Sequence, residues 1–189
     1  MSMSGIILIV LALIVVFAIT LYNRLVALRQ VWKNAFADID VQLKQRHDLI
    51  PNLVETVKGY AAHESGVLEK VTEARASAMR AATPAEKGAA EGALSGALMN
   101  LMAVAENYPQ LKANENFQQL QSELADLENK IAAARRFFNN AVAEYNAAIE
   151  QFPAVVLAGP LGFTHADMFA LDAAEKAEAS QPPKVSFGN

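Results

Sequence analysis

Residues 117–153, FQQLQSELADLENKIAAARRFFNNAVAEYNAAIEQFP, decide the fold. Phe117, Leu120, Leu124, Leu127, Ile131, Ala134, Phe138, Ala141, Tyr145, Ala148 and Phe152 recur at steps of three and four without a slip, and Pro153 closes the series. Only an α-helix gathers residues so spaced onto one face. A repeat this strict predicts gently supercoiled, near-antiparallel neighbours rather than steep crossings. The same period runs upstream through Leu25, Leu28, Trp32, Ala35, Ile39, Leu43, Arg46, Ile50, Leu53, Val57 and Tyr60. Pro51 removes a backbone donor from that stripe without shifting its phase, which predicts one bent helix rather than two.

Between these stripes, Ser65 and Gly66 mark a turn, and a second pattern follows at Leu68, Val71, Arg75, Ala78 and Ala82. Thr83, Pro84 and Glu86 have the spacing of a fresh helix start: a hydroxyl cap, a proline at the first helical position and a carboxylate three residues after the cap. The third pattern runs to Tyr108, where Pro109 stops it. The expected fold is therefore all-α. Three rods of roughly 60–65 Å each would pack as a long antiparallel bundle, the second rod broken near Pro84. In the alternative, a four-helix up-and-down bundle, that break is a true reversal.

The chain begins differently. No charged side chain occurs in residues 1–23, and residues 6–19 are an unbroken apolar run. As a helix, residues 5–22 rise roughly 27 Å, close to the ~30 Å hydrocarbon core of a bilayer. A cleavable signal peptide would carry positive charge ahead of its apolar run, and none is present. Arg24, Arg29 and Lys33 follow the run directly, where they would face lipid headgroups. Their position predicts an N-terminus outside and a C-terminal domain in the cytoplasm. The expected organisation is a short outer N-terminus at 1–4, a transmembrane helix at 5–22, a helical bundle at 23–153, an apolar segment at 154–170 and a disordered tail at 171–189.

Composition narrows the chemistry. The 189 residues contain no Cys, which excludes disulfides, thiolate metal sites and a Cys nucleophile. The net charge of −4 argues against a nucleic-acid partner. None of the three His stands three residues after a Glu, as di-metal bundle sites require, and no phosphate-binding loop or serine-nucleophile motif occurs. No catalytic residue, metal or cofactor is expected.

Arg46 and Arg75 are unusual because both occupy apolar stripe positions. A buried guanidinium needs carboxylate or carbonyl partners, and Glu106 and Glu128 flank the facing stripes. Alternatively both side chains snorkel outward. Asp40 and His47 share a flank of the same helix. Asp40, Arg46, His47, Arg75, Glu106 and Glu128 thus form a candidate structural polar network. Gly88, Gly92 and Gly96 suggest either close helix approach or a weak helix start. Asn139 and Asn146, each following an aromatic, suggest either a register-setting pair or solvated flanks. Leu157, Leu161 and Phe163 belong to an apolar stretch that either folds back on its own bundle or meets a partner.

Several segments resemble the signature segments of the LemA family. They are residues 38–55 (DIDVQLKQRHDLIPNLVE), residues 105–114 (AENYPQLKAN), the block from Leu120 to Pro153, Gly162-Phe163 and the PPKVSF ending. The resemblance covers nearly the whole chain and departs chiefly at residues 88–96. It implies a bacterial single-pass membrane protein with a helical cytoplasmic domain and no established activity or cofactor. A magnetosome-biogenesis relative in that family tilts the expectation toward membrane organisation. The expected role is a membrane-anchored, non-enzymatic scaffold that forms homo-oligomers or organises another membrane protein. The rival is an adaptor that holds a peptidase or other enzyme at the membrane.

Overall fold

A computed structural model describes residues 2–169; the tail expected at 171–189 lies outside them. Six helices follow in order: α1 (Met3–Lys58), α2 (Ser65–Ala78), α3 (Pro84–Ala105), α4 (Pro109–Lys112), α5 (Glu115–Glu150) and α6 (Ala154–Ala158). No strand occurs among the described residues. The all-α expectation holds, with a long apolar N-terminal helix leading into a helical region. The described residues pack as two compact units, one formed by residues 2–40 with 133–168 and one centred on residues 41–132. The stretch expected as one bundle, 23–153, contributes to both.

In the unit centred on 41–132, four helical segments surround one core: the end of α1, α2, α3 and the start of α5. Ile50, Leu53, Val57, Val71, Leu94, Leu101 and Phe117 are buried there, each side chain contributing roughly 1.5–3 kcal/mol of transfer free energy. The chain reverses between α2 and α3. The Tyr108 hydroxyl, beyond the end of α3, donates to the Glu64 carboxylate at the start of α2 over 3.3 Å, and the two helices pack directly on each other. Burial, followed by the Glu64 charge, pushes the Tyr108 hydroxyl pKa up. The second rod is therefore an antiparallel hairpin, as in the four-helix arrangement. Its restart has the spacing read from the sequence. Thr83 Oγ1 accepts from the Glu86 amide (3.2 Å), Glu86 accepts from the Thr83 amide (3.0 Å), and Pro84 opens the helix.

In the other unit, the end of α5 lies along α1 from Leu25 to Phe36. Phe138 meets Trp32 edge-on at 6.4 Å and Phe36 at 5.4 Å, while Leu25, Tyr145 and Ile149 are buried together. Beyond α5 the chain folds back on this unit. The Tyr145 hydroxyl donates to the Thr164 carbonyl (2.9 Å), and the Asn146 amide bonds both the carbonyl and the N–H of Ala166 (2.9 Å each). Asn146 is thus neither a register pair nor a solvated flank; it holds the C-terminal segment in place. Asn139 is half-buried. Phe152, the last residue of the α5 stripe, lies past the helix end and is 83% exposed.

Helix α1 continues unbroken through Pro51. Proline cannot donate to the carbonyl four residues before it, which belongs to His47. Arg75 Nε, from α2, donates to that carbonyl at 2.7 Å. A stripe-position arginine therefore answers the gap that a helix-interior proline opens. Arg75→Met should cost about 1–3 kcal/mol by denaturant unfolding, the price of an orphaned acceptor. In a Pro51→Ala background, where an amide reaches the carbonyl, the same change should cost under about 1 kcal/mol. Equal costs in both backgrounds would separate Arg75 from Pro51.

Candidate functional site

Two places in the molecule concentrate unusual side chains, one in each unit. The first is built around Arg46, which the α1 stripe carries into the core at 1% exposure. A cation there requires neutralisation. Its Nη2 donates to Glu91 Oε2 from α3, and its Nη1 donates to Glu128 Oε1 from α5 and to Ser95 Oγ at 3.1 Å. His47 is also buried, and its Nε2 lies 2.8 Å from Glu91 Oε1. Glu91 therefore spans both neighbours, one carboxylate oxygen to each. Burial pushes its pKa up, but the His47 hydrogen bond and the Arg46 charge outweigh burial and hold it below the ordinary Glu value.

Among the six residues expected to form a network, the structure brings together Arg46, His47, Arg75 and Glu128. Glu106 stands apart on the surface, 2.6 Å from Lys112. Asp40 belongs to the other unit and is half-buried. Glu91 was not among the expected partners, although its signal was present. Gly88, Glu91, Leu94, Leu98, Leu101 and Ala105 are the buried residues of α3, and Glu91 is the acid within that stripe. Of the three α3 glycines, Gly88 is buried and Gly92 half-buried. Gly96 is exposed, with open space where a Cβ would stand, so the three do not form one close-packed face. Among the described residues, no cluster of three His, Cys, Asp or Glu is placed to hold a metal.

The second place is the foot of the apolar run. Ile6 to Ile19 lie open along α1, which is the one described helix long and apolar enough to cross a membrane. Just past it, Tyr22 meets Phe163 edge-on at 5.6 Å, and the Arg29 guanidinium stands 4.8 Å over the same ring. Phe163 is buried, Leu157 half-buried and Leu161 exposed. Arg24 and Lys33 are exposed on the same stretch of α1. This arrangement suits a membrane interface, with an apolar span above and aromatic and cationic groups below.

A family model described as the LemA family matches residues 35–187. Magnetosome protein MamQ of Magnetospirillum gryphiswaldense is 25% identical over 185 aligned positions, covering 82% of this chain and 68% of that protein. Magnetosome protein MamQ 2 of Paramagnetospirillum magneticum matches with the same identity and coverage.

The buried ion network generates a test with a defined sign. Arg46→Met leaves Glu91 buried without its cation and should cost about 3–5 kcal/mol in chemical unfolding. The folded pKa of Glu91 is depressed, so its stabilisation is present above the unfolded value of 4.5 and is lost as pH falls through the folded one. Glu91→Gln should flatten part of the acid limb of a melting-temperature profile. An acid limb unchanged in that variant, or an unchanged midpoint for Arg46→Met, would remove the network from the stability of the fold.

Proposed function

The chain belongs to the LemA family, and from that premise we propose that it is a membrane-anchored, non-enzymatic helical scaffold of the bacterial inner membrane. It would span the bilayer once, with the short N-terminus outside and the helical region in the cytoplasm. The observation that carries this reading is the continuity of α1. One uninterrupted helix joins the exposed apolar run to packed residues from Leu25 onward, so no flexible linker separates span from fold. An enzyme merely tethered to a membrane gains little from such rigidity, whereas a scaffold depends on holding its surfaces at a fixed height and angle. The curated relatives are named magnetosome proteins, which agrees with an association with membranes.

Scaffolding requires contact with other chains. Large apolar side chains stand exposed away from the span, among them Val31 and Phe137 in one unit and Met79 and Met99 in the other. These are the surfaces we assign to homo-oligomer formation or to a neighbouring membrane protein.

A second reading, an adaptor for one dominant partner, is favoured by an open groove of about 490 Å³ at the α1–α2 turn. Val54 and Leu68 give it an apolar floor, and Glu55, Glu69 and Glu73 against Lys58 give it a net acidic rim, which suits a basic, partly apolar peptide.

Crosslinking in cells followed by mass spectrometry separates the two. The scaffold reading expects abundant self-crosslinks, and light scattering of the full-length protein in mild detergent should return a discrete oligomer. A concentrated monomer with a single foreign crosslinked partner would replace the scaffold with the adaptor.

A further inference from the structure

Helix α6 is built the wrong way round for a helix that serves only its own core. Its small residues, Ala154 and Ala158, face inward against the cluster around Leu25. Two of its three large residues face out, Val155 at 51% and Val156 at 62% exposure, while Leu157 is half-buried; Phe152 just before the helix and Leu161 just after it are also open. A surface helix in water shows the opposite distribution, apolar bulk inward and polar groups outward. Residues 151–164 contain no charged side chain.

The location explains the inversion. Phe163 packs on Tyr22, the last residue of the uncharged span, and α6 packs on Leu25, three residues further. At 1.5 Å per residue, Leu25 lies about 5 Å beyond the end of the span. That is the depth of the headgroup and upper acyl region, where interfacial helices bury an apolar face about 5–10 Å deep. Arg24 and Arg29, on the adjoining turns of α1, are placed to meet lipid phosphates.

We propose that the outer face of α6, with Phe152 and Leu161, is a second membrane contact that lies in the interface of the leaflet from which α1 emerges. The contact rests on the reading of α1 as a membrane span. It would fix the rotation of the protein about the α1 axis, which a lone spanning helix leaves free.

The chain has no native Cys, so single cysteines label uniquely. Val156→Cys, Ile14→Cys and Asn34→Cys, all at exposed positions, would each carry an environment-sensitive fluorophore on the full-length protein. The labelled proteins are placed in vesicles of phosphatidylcholine and phosphatidylglycerol bearing nitroxides near the headgroup or near the acyl-chain end. The Ile14 label should be quenched most by the deep nitroxide. The Asn34 label, about 18 Å past Tyr22 along α1, should be quenched by neither. The Val156 label should lose most of its emission to the shallow nitroxide and shift to the blue. Quenching at Ile14 with none at Val156 overturns the second contact and leaves the span standing. A blue shift at Val156 without quenching also overturns it, because protein, such as a second copy, then covers the face. If the Ile14 label is not quenched, the span itself fails and the contact fails with it.

Discussion

A guanidinium held in a helical core must be neutralised there, and much of the unit centred on residues 41–132 follows from that requirement. Arg46 sits on the stripe that turns α1 inward, so its charge cannot be moved to the surface without rotating the stripe out of phase. The carboxylates that answer it come from α3 and α5, and the histidine beside it engages the same Glu91. Three helices are thereby fixed to one another at one level by interactions that tolerate little displacement. Apolar packing alone is non-directional and would permit sliding. A buried ion network of this kind supplies register, and its geometry rather than its net free energy is its structural contribution.

The α1–α2 pair shows the same logic at smaller scale. Pro51 lies in a helix interior, where it leaves the His47 carbonyl without an amide. The structure answers with the side chain of Arg75 rather than by ending the helix. His47 is consequently held at both ends, its carbonyl by Arg75 and its ring by Glu91. Pro51 and His47 of α1, Arg75 of α2 and Glu91 of α3 form one connected set, although the three helices contribute from distant parts of the sequence.

The other unit obeys a different constraint, set by where its apolar surface can go. The aromatic side chains of α5 and α1 interlock at Phe138, Trp32 and Phe36, and the chain returns over them through Asn146 and Tyr145. Exposed large apolar side chains in this unit concentrate on α6 and along the apolar run of α1.

The three-four periodicity determined the all-α class, because helical spacing leaves no other element able to gather those side chains on one face. The uninterrupted apolar run determined that one helix is long enough for a bilayer, since length and the lack of charge are properties of the chain itself. The cap at Thr83 was equally legible, being a contact between residues three apart. Whether that cap follows a bend or a reversal depended on α2 packing back on α3, which brings Tyr108 to Glu64, 44 positions apart, and which no local pattern encodes. The same holds for Glu91. Its place in the α3 stripe marked it as inward-facing, but only the packing of α3 against α1 chose it over Glu106 as a partner of Arg46. Asn146 was read as a flank or a register residue because its true partner, the Ala166 backbone, becomes a neighbour only after the chain turns back. Local periodicity fixes which face of a helix turns inward, whereas the identity of what it meets there is set by chain reversals, whose geometry arises from the whole fold.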